Sequence, residues 1–226
     1  MNNGIGALQG NVVVALVSTK GGVGKTTLSG HIAVEAERRG VGPVALIDMD
    51  RQGSLAHWWN ARERSTPVFV ESTHSRIGPD LLRLAEMGIA LTVIDTPPAP
   101  FNIIEAAVEL SNLIVMPLRA GPHDMRTLPA TLSIVEPLGK PVVFVLNGAT
   151  VGARITNEAI SLLSQYGPLA PVIHQRVDYA ASMIDGRTAM EIRSASPAID
   201  EIAALWGYLQ HRCGQIRVSL PHQVPA

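Results

Sequence analysis

A glycine-rich loop joins an apolar segment to an amphipathic segment near the start of the chain. The loop is Thr19–Thr27; it follows the apolar run Val12–Val17 and precedes a helical pattern over Thr26–Arg39. Glycines let the backbone turn inward, so that successive N–H groups and the N-terminus of the next helix face an anion. The order strand, glycine loop, helix therefore predicts a phosphate-binding loop. An ordinary glycine turn is the competing interpretation, and the Lys-Thr-Thr ending disfavours it.

The side chains of this loop suit a nucleoside triphosphate with Mg²⁺. Lys25 can reach the β- and γ-phosphates, and the Thr26 hydroxyl can ligate the cation. The chain has three lysines, and two of them, Lys20 and Lys25, lie in this loop, which suggests point charges meant for phosphate oxygens. The predicted nucleotide-binding residues are Gly21, Gly22, Val23, Gly24, Lys25, Thr26 and Thr27.

Apolar runs alternate with helical patterns along the rest of the chain. The predicted strands are Val12–Ser18, Val44–Asp48, Val68–Val70, Leu91–Asp95, Leu113–Leu118, Val142–Asn147 and Pro171–Ile173. The predicted helices are Thr26–Arg39, Ser54–Arg64, Pro79–Met87, Asn102–Leu110, His123–Glu136, Arg154–Gln165 and Pro197–Gln210. Continuous apolar runs indicate strands buried on both faces. We therefore expect a doubly wound α/β fold, with a mainly parallel sheet and helices on both faces.

Length and composition limit the alternatives. A chain of 226 residues with 46% hydrophobic residues suits one domain with a sizeable core. We expect that domain over residues 1–213 and a flexible tail over 214–226. The single cysteine, Cys213, excludes an intrachain disulfide, and the apolar runs are too short to span a membrane. The net charge of −1 gives no global basic field for nucleic acid. A cytoplasmic protein is the expectation.

Two carboxylate-bearing segments follow predicted strands. Asp48 and Asp50 end the second strand and, with a period of two, point to the same side. Asp48 is a candidate for the water shell of Mg²⁺, and Asp50 is a candidate for orienting the attacking water. Asp95 ends another apolar strand in a Walker-B pattern, so we expect it to bind Mg²⁺ through water opposite Thr26. Ordinary turns are the competing interpretation, because Asp is common there.

Together these segments resemble the ParA/MinD family of partition and positioning ATPases. The similar features are the loop with its leading Lys20, Asp48–Ser54, Ile94–Pro98, Trp58, and the stretch Arg176–Glu191 with Gly186. The similarity runs to about Leu209 and is greatest with short ParA proteins that lack an N-terminal helix-turn-helix domain. It implies a P-loop NTPase fold with a deviant Walker A motif.

The resemblance also implies roles for single residues. Lys20 would cross the interface of an ATP-sandwich dimer and contact phosphates held by the partner, as an arginine finger does. Asp50 would position the hydrolytic water. Asn147 resembles the family's adenine-contacting position, although Asn before Gly is also an ordinary turn. Arg51 stands where many relatives have proline; it either contacts phosphate or the dimer partner or is solvated, and we favour the solvated interpretation.

The family further implies partners. Its members bind DNA non-specifically as ATP dimers, through basic residues in the C-terminal half, and associate with the nucleoid. The candidate DNA-binding residues here are Arg154, Arg176, Arg187, Arg193, Arg212 and Arg217. Scattered surface arginine is the competing interpretation, and the nearly neutral net charge supports it. A ParB-like protein or a cargo adaptor would stimulate slow ATP hydrolysis.

Two other functions remain open at this point. One is a MinD-like ATPase switch at the membrane surface, which would end in a basic amphipathic helix. The tail Ile216–Pro221 is short and contains a proline, so we expect no stable membrane insertion. The other is a small P-loop metabolic enzyme, such as a small-molecule kinase or a ligase of the dethiobiotin-synthetase type. Lys20 and the segment around Asp50 disfavour a simple kinase.

Overall fold

One sheet of seven parallel strands forms the centre of the molecule. The computed structural model describes residues 10–98 and 101–219. The strands are β1 (Val12–Leu16), β2 (Val44–Asp48), β3 (Val68–Glu71), β4 (Leu91–Asp95), β5 (Leu113–Leu118), β6 (Val142–Ala149) and β7 (Ile173–His174). Their order is β3-β2-β4-β1-β5-β6-β7, and each neighbouring pair is parallel. The expected doubly wound α/β fold is confirmed.

Helices cover both faces of this sheet. They are α1 (Lys25–Arg38), α2 (Ser54–Asn60), α3 (Ile77–Glu86), α4 (Phe101–Leu110), α5 (Pro122–Val135), α6 (Arg154–Tyr166), α7 (Val177–Ser182), α8 (Ala189–Ile192) and α9 (Pro197–Ser219). In β1, Val14 and Leu16 join the cluster formed with α1, α2 and α7 to α9. Val13 and Ala15 join the opposite cluster, formed with α3 to α6. The continuous apolar runs of the sequence thus reflect burial on both sides.

The segment 177–191, which contains α7 and most of α8, was not expected to be helical. Its helices have six and four residues, too short for a periodic pattern to reveal. Helix α2 ends at Asn60, earlier than expected, and just beyond it the Arg62 guanidinium donates to Glu191 of α8 at 2.9 Å. Trp58 of α2 is buried and donates to the Arg187 carbonyl at 2.9 Å. These contacts dock α2 onto segment 177–191.

The C-terminal helix corrects the expected tail. α9 continues through Gly214 to Ser219, so the boundary at Cys213 falls inside a helix. The reason is packing: Cys213 is buried and Ile216 lies against the core cluster shared with α1. The rest of the expected tail, residues 220–226, lies outside the described residues. In the described ranges, no helix combines the length and apolar character needed to cross a bilayer.

Candidate nucleotide-binding site

The glycine loop lies at the carboxyl end of β1, between β4 and β5. Gly22 and Gly24 adopt left-handed backbone angles, with φ of 74° and 96°, which side chains rarely adopt. Gly24 precedes α1 without any side-chain hydrogen bond to the helix N-terminus. The first N–H groups of α1 are therefore available to an anion, and the helix dipole favours negative charge there.

Asn147 braces this loop from β6. Its Nδ2 donates to the Val23 carbonyl at 2.7 Å, and a side chain at Gly24 would collide with the same amide. Position 24 thus requires glycine for two reasons: the left-handed backbone angle, and the Asn147 amide that occupies the place of a side chain. The resemblance implies an adenine contact for Asn147, which stays a prediction, and one N–H of its amide is used by the loop. Its first role in this structure is to hold the loop in shape.

Lys25 lies inside the loop that it ends. Its Nζ donates to the carbonyls of Lys20 and Ser18, at 3.2 and 3.4 Å. Burial lowers the pKa of Lys25, while the nearby carboxylates of Asp95 and Asp50 act in the opposite direction. The ammonium group is held by weak acceptors without a direct carboxylate contact, which suits exchange for phosphate oxygens.

Thr26 and Asp95 form the expected pair. The Thr26 hydroxyl donates to Asp95 Oδ2 at 2.6 Å, and Asp95 Oδ1 is buried without a hydrogen-bond partner. Burial raises the pKa of Asp95 to about 7. A buried carboxylate oxygen without a donor, next to a hydroxyl, fits a cation such as Mg²⁺. In the described part of the chain, no group of three His, Cys, Asp or Glu side chains could hold a metal ion.

Asp48 is bound by backbone groups of the following loop. Its Oδ1 and Oδ2 accept the backbone N–H groups of Asp50 and Ala56, at 2.9 and 3.0 Å. Asp48 therefore shapes the loop that carries Asp50, and its expected part in the water shell of Mg²⁺ stays a prediction. Strand alternation predicted that Asp48 and Asp50 point to the same side of the sheet. It does not apply to Asp50, because β2 ends at Asp48 and the chain turns there. Asp50 nevertheless lies close enough to influence the pKa of both Lys25 and Asp95.

Lys20 is held by α5 of its own chain. Its Nζ lies 2.7 Å from Asp124 Oδ2, and the second carboxylate oxygen of Asp124 is buried without a partner. One residue earlier, the hydroxyls of Thr19 and Thr131 lie 2.9 Å apart. The first half of the glycine loop is thus docked on α5. Sequence reasoning missed Asp124, because it belongs to no motif that the loop predicts.

Comparison with known proteins identifies the family. The model of the CbiA family, described as the CobQ/CobB/MinD/ParA nucleotide binding domain, matches residues 14–192. This chain belongs to that family.

Within the family, similar proteins include two that are named for the maintenance of carboxysome distribution. The maintenance of carboxysome distribution protein A of Halothiobacillus neapolitanus is 27% identical, covering 84% of this chain and 93% of that protein. The protein of the same name from Gloeobacter kilaueensis is 38% identical over 53% of this chain and 55% of its own length. A solved ATP complex of a Cyanothece McdA variant has a TM-score of 0.72 at 15% identity, covering 96% and 99% of the two chains. The first two are similar to this chain in sequence, and the third supports the fold.

The arginines expected to contact DNA are engaged with carboxylates. The four pairs are Arg154–Glu158, Arg176–Glu201, Arg187–Asp185 and Arg193–Asp178, at 2.7, 2.7, 2.6 and 3.1 Å. Each pair is locally neutral, so these arginines form no free basic patch in the single chain. Arg212 instead donates to Gln215 at 3.3 Å, and the side chain of Arg217 lies outside the described residues.

Arg51 and Gly186, two other residues in the segments that resemble the family, have different surroundings. Arg51 is exposed, and which of its two interpretations holds stays a prediction. Gly186, in contrast, has a φ of 76° and packs against the backbone of Ala61 and Arg62, where a side chain would collide. The similarity around Gly186 therefore reflects the docking of segment 177–191 on α2.

Proposed function

We propose that this chain is a ParA-type ATPase that closes into a dimer around ATP and positions a cargo on non-specifically bound DNA. The observation that carries the ATP assignment is the bond from the Thr26 hydroxyl to buried Asp95, with one carboxylate oxygen of Asp95 left unpartnered near the Lys25 ammonium. A hydroxyl, a carboxylate and an ammonium at a glycine loop suit Mg²⁺ and the β- and γ-phosphates.

Each residue then has a separate task. Lys25 would exchange two backbone carbonyls for phosphate oxygens, and α1 would present its first N–H groups to the same phosphates. Thr26 and Asp95 would hold Mg²⁺, which neutralises charge on the phosphates. Asp50 would orient the attacking water, because it lies near both the ammonium and Asp95.

Lys20 would act on the nucleotide of the partner chain. Its ammonium faces Asp124 in the single chain, and its side chain is 32% exposed, so it can leave this partner. A lysine supplied from a second chain would neutralise charge on the transferring phosphoryl group. Hydrolysis would therefore depend on dimer formation, and a ParB-like protein or a cargo adaptor would stimulate it.

DNA binding requires the paired arginines to change partners. Exchange of a carboxylate for a DNA phosphate is cheap at exposed pairs such as Arg154–Glu158, which contribute little to stability. Phosphate contacts carry no sequence information, and the affinity that they provide falls steeply with salt. The names of the carboxysome-distribution relatives support a cargo as the object that is positioned. The proposed place of action is the nucleoid, in the cytoplasm.

Retention on DNA tests this function. Wild-type protein with ATP and Mg²⁺ should be retained on random-sequence duplex, release free phosphate, and lose retention as salt increases. Lys25→Ala should abolish ATP-dependent retention. Lys140→Ala is the matched control. Lys140 donates to the Ser111 carbonyl just before β5, at the amino ends of the strands, whereas the glycine loop lies at their carboxyl ends. Retention that Lys25→Ala leaves intact, a phosphorylated small-molecule product, or ATP-dependent flotation with liposomes would contradict the proposal.

A further inference from the structure

Segment 177–191 is attached to the two helices that follow the loops of the proposed nucleotide site. Helix α1 follows the glycine loop, and α2 follows the turn after β2. From α2, Trp58 donates to the Arg187 carbonyl at 2.9 Å. Just beyond α2, the Arg62 guanidinium donates to the Gly186 carbonyl. These bonds fix the backbone of the segment from the side of α2.

His31 makes the corresponding contact from α1. Its Nε2 accepts the Ala189 N–H at 3.0 Å, so the hydrogen of the neutral ring is on Nδ1, which donates to the Thr27 carbonyl at 2.7 Å. Thr27 directly follows Thr26 in the first turn of α1. The Tyr179 ring of α7 packs edge-on against the imidazole, with ring centroids 5.3 Å apart. One buried side chain thus joins the first turn of α1 to α7 and to the start of α8.

Phosphate binding would act on this first turn. Lys25 and Thr26 belong to it, and its N–H groups would face the phosphates. Fixing the turn fixes the Thr27 carbonyl and, through it, the orientation of the imidazole. Because a close-packed interior transmits small shifts between neighbouring side chains, the acceptor of the Ala189 N–H would be fixed with the ring.

The outer side of the segment carries candidate DNA contacts. The carbonyl of Arg187 is used by Trp58, while its guanidinium is exposed and pairs with Asp185 at 2.6 Å. Arg193 follows α8 and pairs with Asp178 of α7 at 3.1 Å. Both arginines therefore extend from backbone that α1 and α2 hold from the inner side.

We propose that His31 couples the glycine loop to segment 177–191, so that bound nucleotide tightens the segment and positions Arg187 for DNA. Because His31 is fully buried, it touches neither ligand and acts as a positioning residue. The inference rests on the proposed function. It adds a route by which ATP changes the DNA-facing surface of the chain that binds it.

Hydrogen–deuterium exchange of segment 177–191, with and without saturating Mg²⁺ and a non-hydrolysable ATP analogue, tests this coupling. In the wild type the analogue should slow exchange of these amides about tenfold, within the range usual for coupling between two sites. His31→Leu removes both hydrogen bonds and keeps an apolar side chain, so it should bind the analogue without this slowing. His31→Gln, whose amide can accept the Ala189 N–H, should retain the slowing.

Ser29→Ala is the matched control. The Ser29 hydroxyl is buried in the same helix and has no hydrogen-bond partner in the described part of the chain. This variant should keep the wild-type response. Affinity for random-sequence DNA in the presence of the analogue should fall about tenfold in His31→Leu and stay unchanged in Ser29→Ala.

The outcomes separate this inference from the proposed function. Slowing that persists in His31→Leu, or that Ser29→Ala abolishes equally, would overturn the coupling. A wild type that binds the analogue with unchanged exchange of the segment would also overturn it, whatever the stability of the variants, and would leave the ATPase assignment intact. A wild type that does not bind the analogue would overturn the proposed function, and this inference with it.

Discussion

Buried His31 should make the stability of this protein fall as the pH drops below neutrality. Its Nδ1 lies 2.7 Å from the Thr27 carbonyl within α1, and its Nε2 accepts the Ala189 N–H at 3.0 Å. Protonation would place a second N–H against that of Ala189. Burial is the largest cause that lowers the pKa of His31 to about 4; Arg62 lowers it further, while the Thr27 carbonyl and Glu191 oppose the shift.

The magnitude follows from proton linkage. Between pH 6.5 and 4 the unfolded chain binds a proton at His31 and the folded chain does not, so stability decreases as the pH falls through this window. The loss from this residue is about 2 kcal/mol at pH 5 and approaches about 3.4 kcal/mol below pH 4. Asp95 acts in the opposite direction, because its raised pKa of about 7 makes the folded chain bind more protons in much of the same range.

A matched variant isolates the histidine. Urea unfolding at pH 5 and pH 7.5 should be compared for the wild type and His31→Gln, whose amide can accept the Ala189 N–H without titrating. The contribution of Asp95 is common to both and cancels in the difference. The wild type should lose about 2 kcal/mol more than the variant between these two pH values. An equal loss in both proteins would refute the assignment of His31 as a buried neutral group.

Three further predictions concern the loop and its surroundings. Asp124→Asn should lower the ATP concentration for half-maximal dimerisation about three- to fivefold in sedimentation velocity, since Lys20 loses an ion pair worth up to about 1 kcal/mol; an increase would contradict it. Gly24→Ala should lower Tm by about 3–6 °C through backbone strain and collision with Asn147, and adding Asn147→Ala should restore part of the loss. Asp95→Asn keeps an acceptor for the Thr26 hydroxyl, so scanning calorimetry should show an intact fold while Mg²⁺-dependent phosphate release falls at least about 100-fold.

Local patterns were sufficient to predict much of the fold. The strands β2, β4 and β5 begin and end where expected, because continuous Val, Ile and Leu runs are bounded by polar or turn residues. The loop and Asp95 were found for the same reason, since each belongs to a short segment next to a strand. The short helices α7 and α8 were missed, because their burial depends on α1 and α2.

Contacts between distant segments explain what the sequence did not predict. Lys20 and Asp124 are 104 residues apart, and Arg119 donates to the Gly22 carbonyl from 97 residues away. No periodicity or motif records such pairs; they arise only when β5 is placed beside β1. Asp48 was likewise recognised as an acidic strand end, but its use by backbone N–H groups depends on how the following loop folds back.

The central claim is that ATP brings two copies together and that each lends Lys20 to the other. Sedimentation velocity with a non-hydrolysable ATP analogue and Mg²⁺ tests it most directly. We expect wild-type protein to move from the 24.0 kDa of one chain to twice that mass, and Lys20→Ala to bind the analogue yet remain at the lower mass. Analogue-saturated wild-type protein that stays a single chain, or a Lys20→Ala variant that dimerises equally well, would contradict the account.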